Sequence, residues 1–296
     1  MLTMREGASM SRWRNLWSSS VSCLNFDAGT RIDTLRICYF LGKKSSSDID
    51  RWVDLAAAQG VHKLIIDLDL TKFGLILDMG KLYKFPFCFF ARGNGSTLIH
   101  LHLASCVFKL PRHFEAFNSL LSLDLERTCL TEKDVRNILS NCSSLEWLSI
   151  RLCQFLNTTS LKFAAPSQRL KHLAILNCSN FSEIEVEATK LISFEYEGLA
   201  VNSKMSHELL AHTWVFRMEQ PCKENILPAK LPTFTNLKRL VFSVMTESRK
   251  NLLELTSLLE VCPSLQKLEL DLYVSCNSED VQTKVSRNSG SFHSNL

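Results

Sequence analysis

The sequence predicts an α/β protein: a curved solenoid with a parallel sheet along its concave face and helices or irregular segments on the convex face. Three observations carry that expectation. First, the phrase LEWLSIRLC, Leu145 to Cys153, returns as LKHLAILNC, Leu170 to Cys178, and both read L-x-x-L-x-L-x-x-C. Second, the phrase also stands as LIHLHLASC from Leu98 and as LLSLDLERT from Leu120, so that successive starts lie 22, 25 and 25 residues apart. That period falls in the leucine-rich-repeat range and below those of tetratricopeptide, ankyrin and propeller repeats. Third, apolar places one, four and six alternate with mostly polar ones, which suits a short strand with one buried side. Such a strand cannot close its own apolar face and needs copies stacked on either side. A chain of 296 residues with 46% hydrophobic residues and only ten Gly and seven Pro supplies the material for that core.

The elements follow in order. Residues 1–29 contain SRWRNLW, in which Trp13, Leu16 and Trp17 share one face of a short amphipathic helix. The solenoid is expected over residues 30–274. Ile32, Leu35 and Ile37 occupy places one, four and six of its first phrase, and Val61, Leu64 and Ile66 those of its second. Between them DIDRWVDLAAAQG, Asp48 to Gly60, carries a capping Asp, an apolar stripe and a terminal Gly, and predicts a helix. Residues 71–97 break the spacing with an apolar cluster and a Gly-rich turn, and are expected to form an enlarged convex segment.

From Leu98 to Cys178 each repeat is expected to run strand, turn, helix. The helix is clearest in LTEKDVRNILSNCSS, where Thr131 and Asp134 form a capping-box-like start ahead of Val135, Ile138 and Leu139. Looser strands follow at Leu191, Phe194 and Tyr196, at Leu237, Leu240 and Phe242, and at Leu265, Leu268 and Leu270, with a degenerate repeat expected near HELLAHTWVF. Asn251 to Cys262 predicts the last helix. The polar, aperiodic residues 275–296 predict a disordered tail.

Composition narrows the function. A net charge of +4 from 34 basic and 30 acidic residues, without like-charge runs, gives no footing for nucleic acid or a membrane surface as partner. Eleven Cys, an odd number without C-x-x-C pairs, fit reduced thiols. With charges at Arg5, Glu6, Arg12 and Arg14 and no long apolar run, the expectation is a cytoplasmic or nuclear protein.

SRWRNLW followed by LNFD, and then an array containing LPRHFEAFNSLLSLDLERTCLTEKDVRNILSNCSSLEWLSIRLC, resembles the large plant family of F-box proteins with C-terminal leucine-rich repeats. The resemblance runs through nearly the whole chain. It implies that an N-terminal F-box docks on the Skp1 adaptor of an SCF-type cullin ubiquitin ligase while the repeats hold the protein to be ubiquitinated. A family F-box has a longer run, opening on an L-P-x-x-I-L helix, ahead of its R-W-R-x-L-W end; here MLTMREGASM precedes Ser11. The resemblance alone therefore does not carry Skp1 docking over to this chain. Trp13, Leu16 and Trp17 are read either as an adaptor-side remnant of the F-box or as an aromatic cap on the first repeat.

Chemistry is not expected. Cys106, Cys153 and Cys178 share place nine, where the strand bends and a small side chain can satisfy backbone groups. Equivalent places form a row and not a tetrahedral cage, so no metal and no cofactor is expected. No G-x-S-x-G, H-E-x-x-H or P-loop phrase occurs, which leaves a Ser/His hydrolase as the distant alternative.

What remains is a surface. Places three, five and seven face the concave side, giving His100, His102 and Ala104; Ser122, Asp124 and Glu126; Trp147, Ser149 and Arg151; His172, Ala174 and Leu176; and Ser193, Glu195 and Glu197. The candidates for contact with a partner protein are Trp147, Arg151, His172 and Leu176, with Asp124, Glu126, His100 and His102 beside them. Trp and Arg are enriched at binding hot spots, although a Trp folded down over its neighbours would read the same way in sequence. The expected function is a non-enzymatic protein-binding module like the substrate receptor of an SCF-type ligase, or a truncated relative that binds the partner without the adaptor.

Overall fold

A computed structural model describes residues 2–3, 32–38, 46–68, 82–91, 97–164, 169–188, 190–199, 202–205, 212–218, 234–246 and 256–274. Within them, eleven strands lie side by side in one parallel sheet: β1 (Leu2–Thr3), β2 (Thr34–Cys38), β3 (Lys63–Asp67), β4 (His100–Ala104), β5 (Ser122–Glu126), β6 (Trp147–Arg151), β7 (His172–Cys178), β8 (Ser193–Gly198), β9 (Thr213–Met218), β10 (Arg239–Thr246) and β11 (Lys267–Val274). Each pairs with the next in chain order, as expected of a solenoid in which every repeat adds one strand. The expected degenerate repeat is β9.

Register follows the phrase place by place. Leu123, Leu148, Leu173, Phe194, Trp214, Leu240 and Leu268 are successive partners in the row of place four. Ile66, Leu103, Leu125, Ile150, Ile175, Tyr196, Phe216 and Phe242 form the row of place six, all buried. Burial of a Leu or Ile in such a row is worth about 1.5–3 kcal/mol, which is why the strands assemble only as a stack. The last strand departs from the expectation. Leu270, predicted to point inward, is 41% exposed; among the described residues β11 pairs on one side only, with β10.

The strands end alike. Ser105, Arg127, Leu152 and Asn177, each at place eight, are left-handed with φ of 56, 47, 53 and 53°. This kink turns the chain away from the sheet and sends each amide to the next repeat, as in Ser105 N–H to Glu126 O, Arg127 N–H to Arg151 O and Leu152 N–H to Leu176 O. Place nine then acts as expected. The thiols of Cys106, Cys153 and Cys178 donate to the carbonyls of Ala104, Arg151 and Leu176, two residues back, and the Thr128 hydroxyl donates to Cys106 O.

The convex side is more varied than the expected run of helices. Helix α1 spans Ser46–Gln59 and buries Ile49, Val53 and Ala56; it starts two residues before Asp48, which therefore lies in its first turn. Gly60, at φ 62°, closes it in the conformation that a side chain disfavours. Helix α2 (Glu132–Asn141) has the full capping box: Thr131 Oγ1 accepts from Asp134 N, and Asp134 Oδ2 accepts from Thr131 N. Helix α3 is Thr256–Val261, within the predicted segment.

After β6, β7 and β8, however, the convex segments are strands. Ser160–Ala164, Glu183–Glu187 and Asn202–Met205 form a second, three-stranded parallel sheet. SLKFA and EIEVE alternate apolar and polar with period two, and Leu161, Phe163, Ile184 and Val186 are all buried, so a helix would have exposed half of them.

Where residues 82–91 are described, the expected enlarged segment is a short strand (Tyr83–Lys84) and a 3-10 turn (Phe87–Phe89). Its Phe residues feed an aromatic cluster in which Phe87 packs edge-on to Phe85, Phe108, Phe114 and Phe117 at 4.9–5.9 Å. Tyr83 ties it to α1 by donating to Asp50 Oδ1 at 2.7 Å. The SRWRNLW helix with Trp13, Leu16 and Trp17, and the tail 275–296, lie outside the described residues. Among the described residues, no helix is long and apolar enough to cross a membrane.

Candidate functional site

The side chains at places three, five and seven make three parallel rows on the concave sheet, and in the middle of those rows the register sets small residues between larger ones, the arrangement of a groove. In the place-three row Trp147 is partner to His172, and in the place-seven row Arg151 is partner to Leu176. Between them, at place five, lie Ser149 and Ala174, small and only 5% and 7% exposed. Small residues between large ones give a floor and two walls. Trp147 and His172 form one wall, Arg151 and Leu176 the other, while Asp124 and Glu195 flank the small pair on either side in the place-five row.

Trp147 does not fold away into the core. It is 44% exposed, with its ring against that of His172 at a centroid distance of 4.9 Å and an interplanar angle of 35°. Beneath it Leu148 is completely buried. The strand thus separates a structural side from an open aromatic one at adjacent residues. Opposite Trp147, Arg151 Nη2 lies 2.8 Å from Glu126 Oε2, while Glu126 Oε1 takes a contact from Arg127. That pair orients the guanidinium along the rim instead of leaving it loose.

Trp147 and Arg151 on β6 face His172 and Leu176 on β7, Asp124 and Glu126 follow on β5, and His100 and His102 on β4, where His102 is partner to Asp124. His102 is half-buried with its pKa lowered from the ordinary 6.5, chiefly by burial, against the opposing fields of Asp124 and Glu126. His172 is lowered too, by burial and by the neighbouring charge of Lys171. His100 is exposed and lines a shallow depression with Lys63, Arg36 and His102.

Arg36 and Lys63 were missed in sequence because outward places were counted only from the Leu98 phrase. Counted from Ile32 and Val61, Arg36 falls at place five and Lys63 at place three.

Burial pushes the Cys106 and Cys153 thiols well up, and that of Cys142 to about 12. They stay protonated, Cys106 and Cys153 as hydrogen-bond donors, and are poorly suited to bind a metal or attack a substrate. Among the described residues, no group of three or more His, Cys, Asp or Glu is arranged to hold a metal ion. Nor is any hydroxyl or thiol there hydrogen-bonded to His100, His102 or His172, so the hydrolase alternative gains no geometric support.

Comparison with known proteins gives the same frame. Residues 24–249 match the family described as At1g61320/AtMIF1, LRR domain. Three curated relatives from Arabidopsis thaliana are each 27% identical: the F-box/FBD/LRR-repeat protein At1g13570 over 51% of this chain, the F-box protein At5g03100 over 58%, and the putative FBD-associated F-box protein At1g61330 over 50%. The chain spans 32%, 56% and 31% of their respective lengths. No solved structure matches.

Proposed function

The chain belongs to the At1g61320/AtMIF1 leucine-rich-repeat domain family, and on that premise we propose that it is a protein-binding module whose concave groove holds a target protein for an SCF-type ubiquitin ligase. The observation that carries this reading is the Trp147–His172 wall: a large aromatic face held open over a small-residue floor, with an ion-paired Arg across from it. An interface needs such a desolvatable anchor beside polar groups that fix orientation. Arg151 and Leu176 complete the second wall, and Asp124 and Glu126 give the groove an acidic end. The ligase connection is supported by relatives named as F-box proteins. The protonated, reduced thiols suit work in the cytoplasm or nucleus.

Two measurements test the two halves of the proposal separately. Purified chain is incubated with the Skp1 adaptor: retention above background supports the ligase role, and retention at background leaves a target-binding protein that works without the adaptor. Target binding itself is read by Trp147→Ala, which should weaken it with little change in melting temperature. Unchanged binding with a large fall in melting temperature would assign Trp147 to structure and end the groove reading.

A further inference from the structure

The cations on the concave sheet are treated in two ways. Arg151, Arg217, Arg239 and Lys267 each have a carboxylate within 4 Å, from Glu126, Glu195 and Glu269. Their charge is used within the protein. Lys63, at place three of β3, is exposed and has no ion pair among the described residues. Arg36, at place five of β2, gives its Nε hydrogen to the Cys38 sulfur at 2.8 Å, with Asp67 the nearby acid.

Register fixes how these groups face one another. Lys63 is partner to His100, and Ile65 lies between Arg36 and His102. At a strand spacing of about 4.8 Å, Arg36 and His102 stand roughly 10 Å apart across the Ile65 side chain, with Lys63 and His100 closing the same quadrangle two places earlier. Ile65 is thus the floor of a depression with about 250 Å³ of space, and four basic side chains are its corners. Asp124, on the β5 side of His102, also lines the depression and makes that end acidic.

We propose that this depression receives an Asp or Glu side chain from an acidic segment of the bound protein, seated over Ile65 with Lys63 and Arg36 as its charge partners. The proposal deepens the groove reading and rests on it, since the same strand rows lead from this corner to Trp147. A carboxylate is favoured because Lys63 supplies a positive charge that nothing described in the fold neutralises, while His100 and His102 can each donate a ring N–H. The acidic Asp124 end disfavours a second carboxylate there, so the segment's neighbouring residue on that side is neutral or basic.

The test uses the full chain and arrays of short synthetic peptides in which the residue at each position is varied among Glu, Asp, Gln and Lys. Peptides retained by the wild type should be enriched in one Glu or Asp, and their Gln counterparts should bind about tenfold more weakly. Lys63→Gln and Arg36→Gln, made separately, should each abolish the preference for Glu over Gln at unchanged melting temperature. Trp147→Ala should weaken every retained peptide and leave the preference intact. Retained peptides without an acid preference, an empty selection, or a preference that survives both basic substitutions overturns the proposal. If only Trp147→Ala changes binding, the groove reading stands and the acidic anchor falls; if binding survives all three substitutions, both fall.

Discussion

The groove at β6 and β7 and the concave face of β8 to β11 are built on one frame and finished differently. Below the sheet both have buried rows, with Leu148 and Ile150 in one and Leu240 and Phe242 in the other. On the outward side the later strands interlock their charges: Arg217 reaches Glu195 at 3.0 Å and Glu197 at 3.6 Å, and Arg239 and Lys267 share Glu269. Those charges satisfy one another, while Tyr273 on β11 remains 58% exposed. The groove instead presents an aromatic wall, with Trp147 44% exposed and its ring against His172. The comparison teaches that inward places decide whether the solenoid stands, whereas outward places decide which part of it has binding capacity left to offer.

The largest effects should not distinguish the two regions. Leu148→Ala and Leu240→Ala should each destabilise by about 2–5 kcal/mol in equilibrium denaturation, because each leaves a cavity between stacked repeats. If one of them cost under about 1 kcal/mol, the two regions would not share a frame.

The next effect should separate them. Trp147→Ala should cost about 2 kcal/mol of target affinity by titration calorimetry. Arg217→Ala removes a half-exposed ion-paired side chain, and should change stability by about 1 kcal/mol or less and affinity not measurably. An affinity loss with Arg217→Ala equal to that with Trp147→Ala would move the binding surface toward the later strands.

The smallest effect is a pH slope. Burial lowers the folded-state pKa of His102 below its ordinary 6.5. As pH falls through that ordinary value the unfolded chain takes up the proton first, so the stabilisation is present above it and is lost progressively below it. Melting temperature should therefore decline between pH 7 and pH 5, and His102→Gln should flatten part of that decline. No difference between the two profiles would mean that the imidazole is as well solvated folded as unfolded.

Much of this was legible in the sequence because a strand's alternation is a local property. Once the phrase is aligned, the inward places of β2 to β8 and of β10, and the concave position of Trp147, Arg151, His172 and Leu176, follow by counting, whereas for β9 the sequence predicts only a degenerate repeat near HELLAHTWVF. The capping box at Thr131 and Asp134 and the carbonyl contacts of the place-nine Cys are equally local. The convex strands were not foreseen, because SLKFA and EIEVE are short alternating runs that the expectation of a helix in every repeat overrode. The groove itself was also hidden. Its floor exists because Ser149 and Ala174, twenty-five residues apart in sequence, become partners in one row between larger walls. Ion pairing was out of reach for a similar reason. Which acid a long Arg or Lys meets depends on neighbouring strands, and this is what separates Lys63 from Arg217.

The most direct test places a photo-crosslinking amino acid at position 124, at the end of the groove floor, and in a second protein at position 162 on the convex sheet. The account predicts a saturable adduct with one target protein from position 124, lost when Trp147→Ala is added, and none from position 162. An adduct from position 162 with none from position 124 would contradict it.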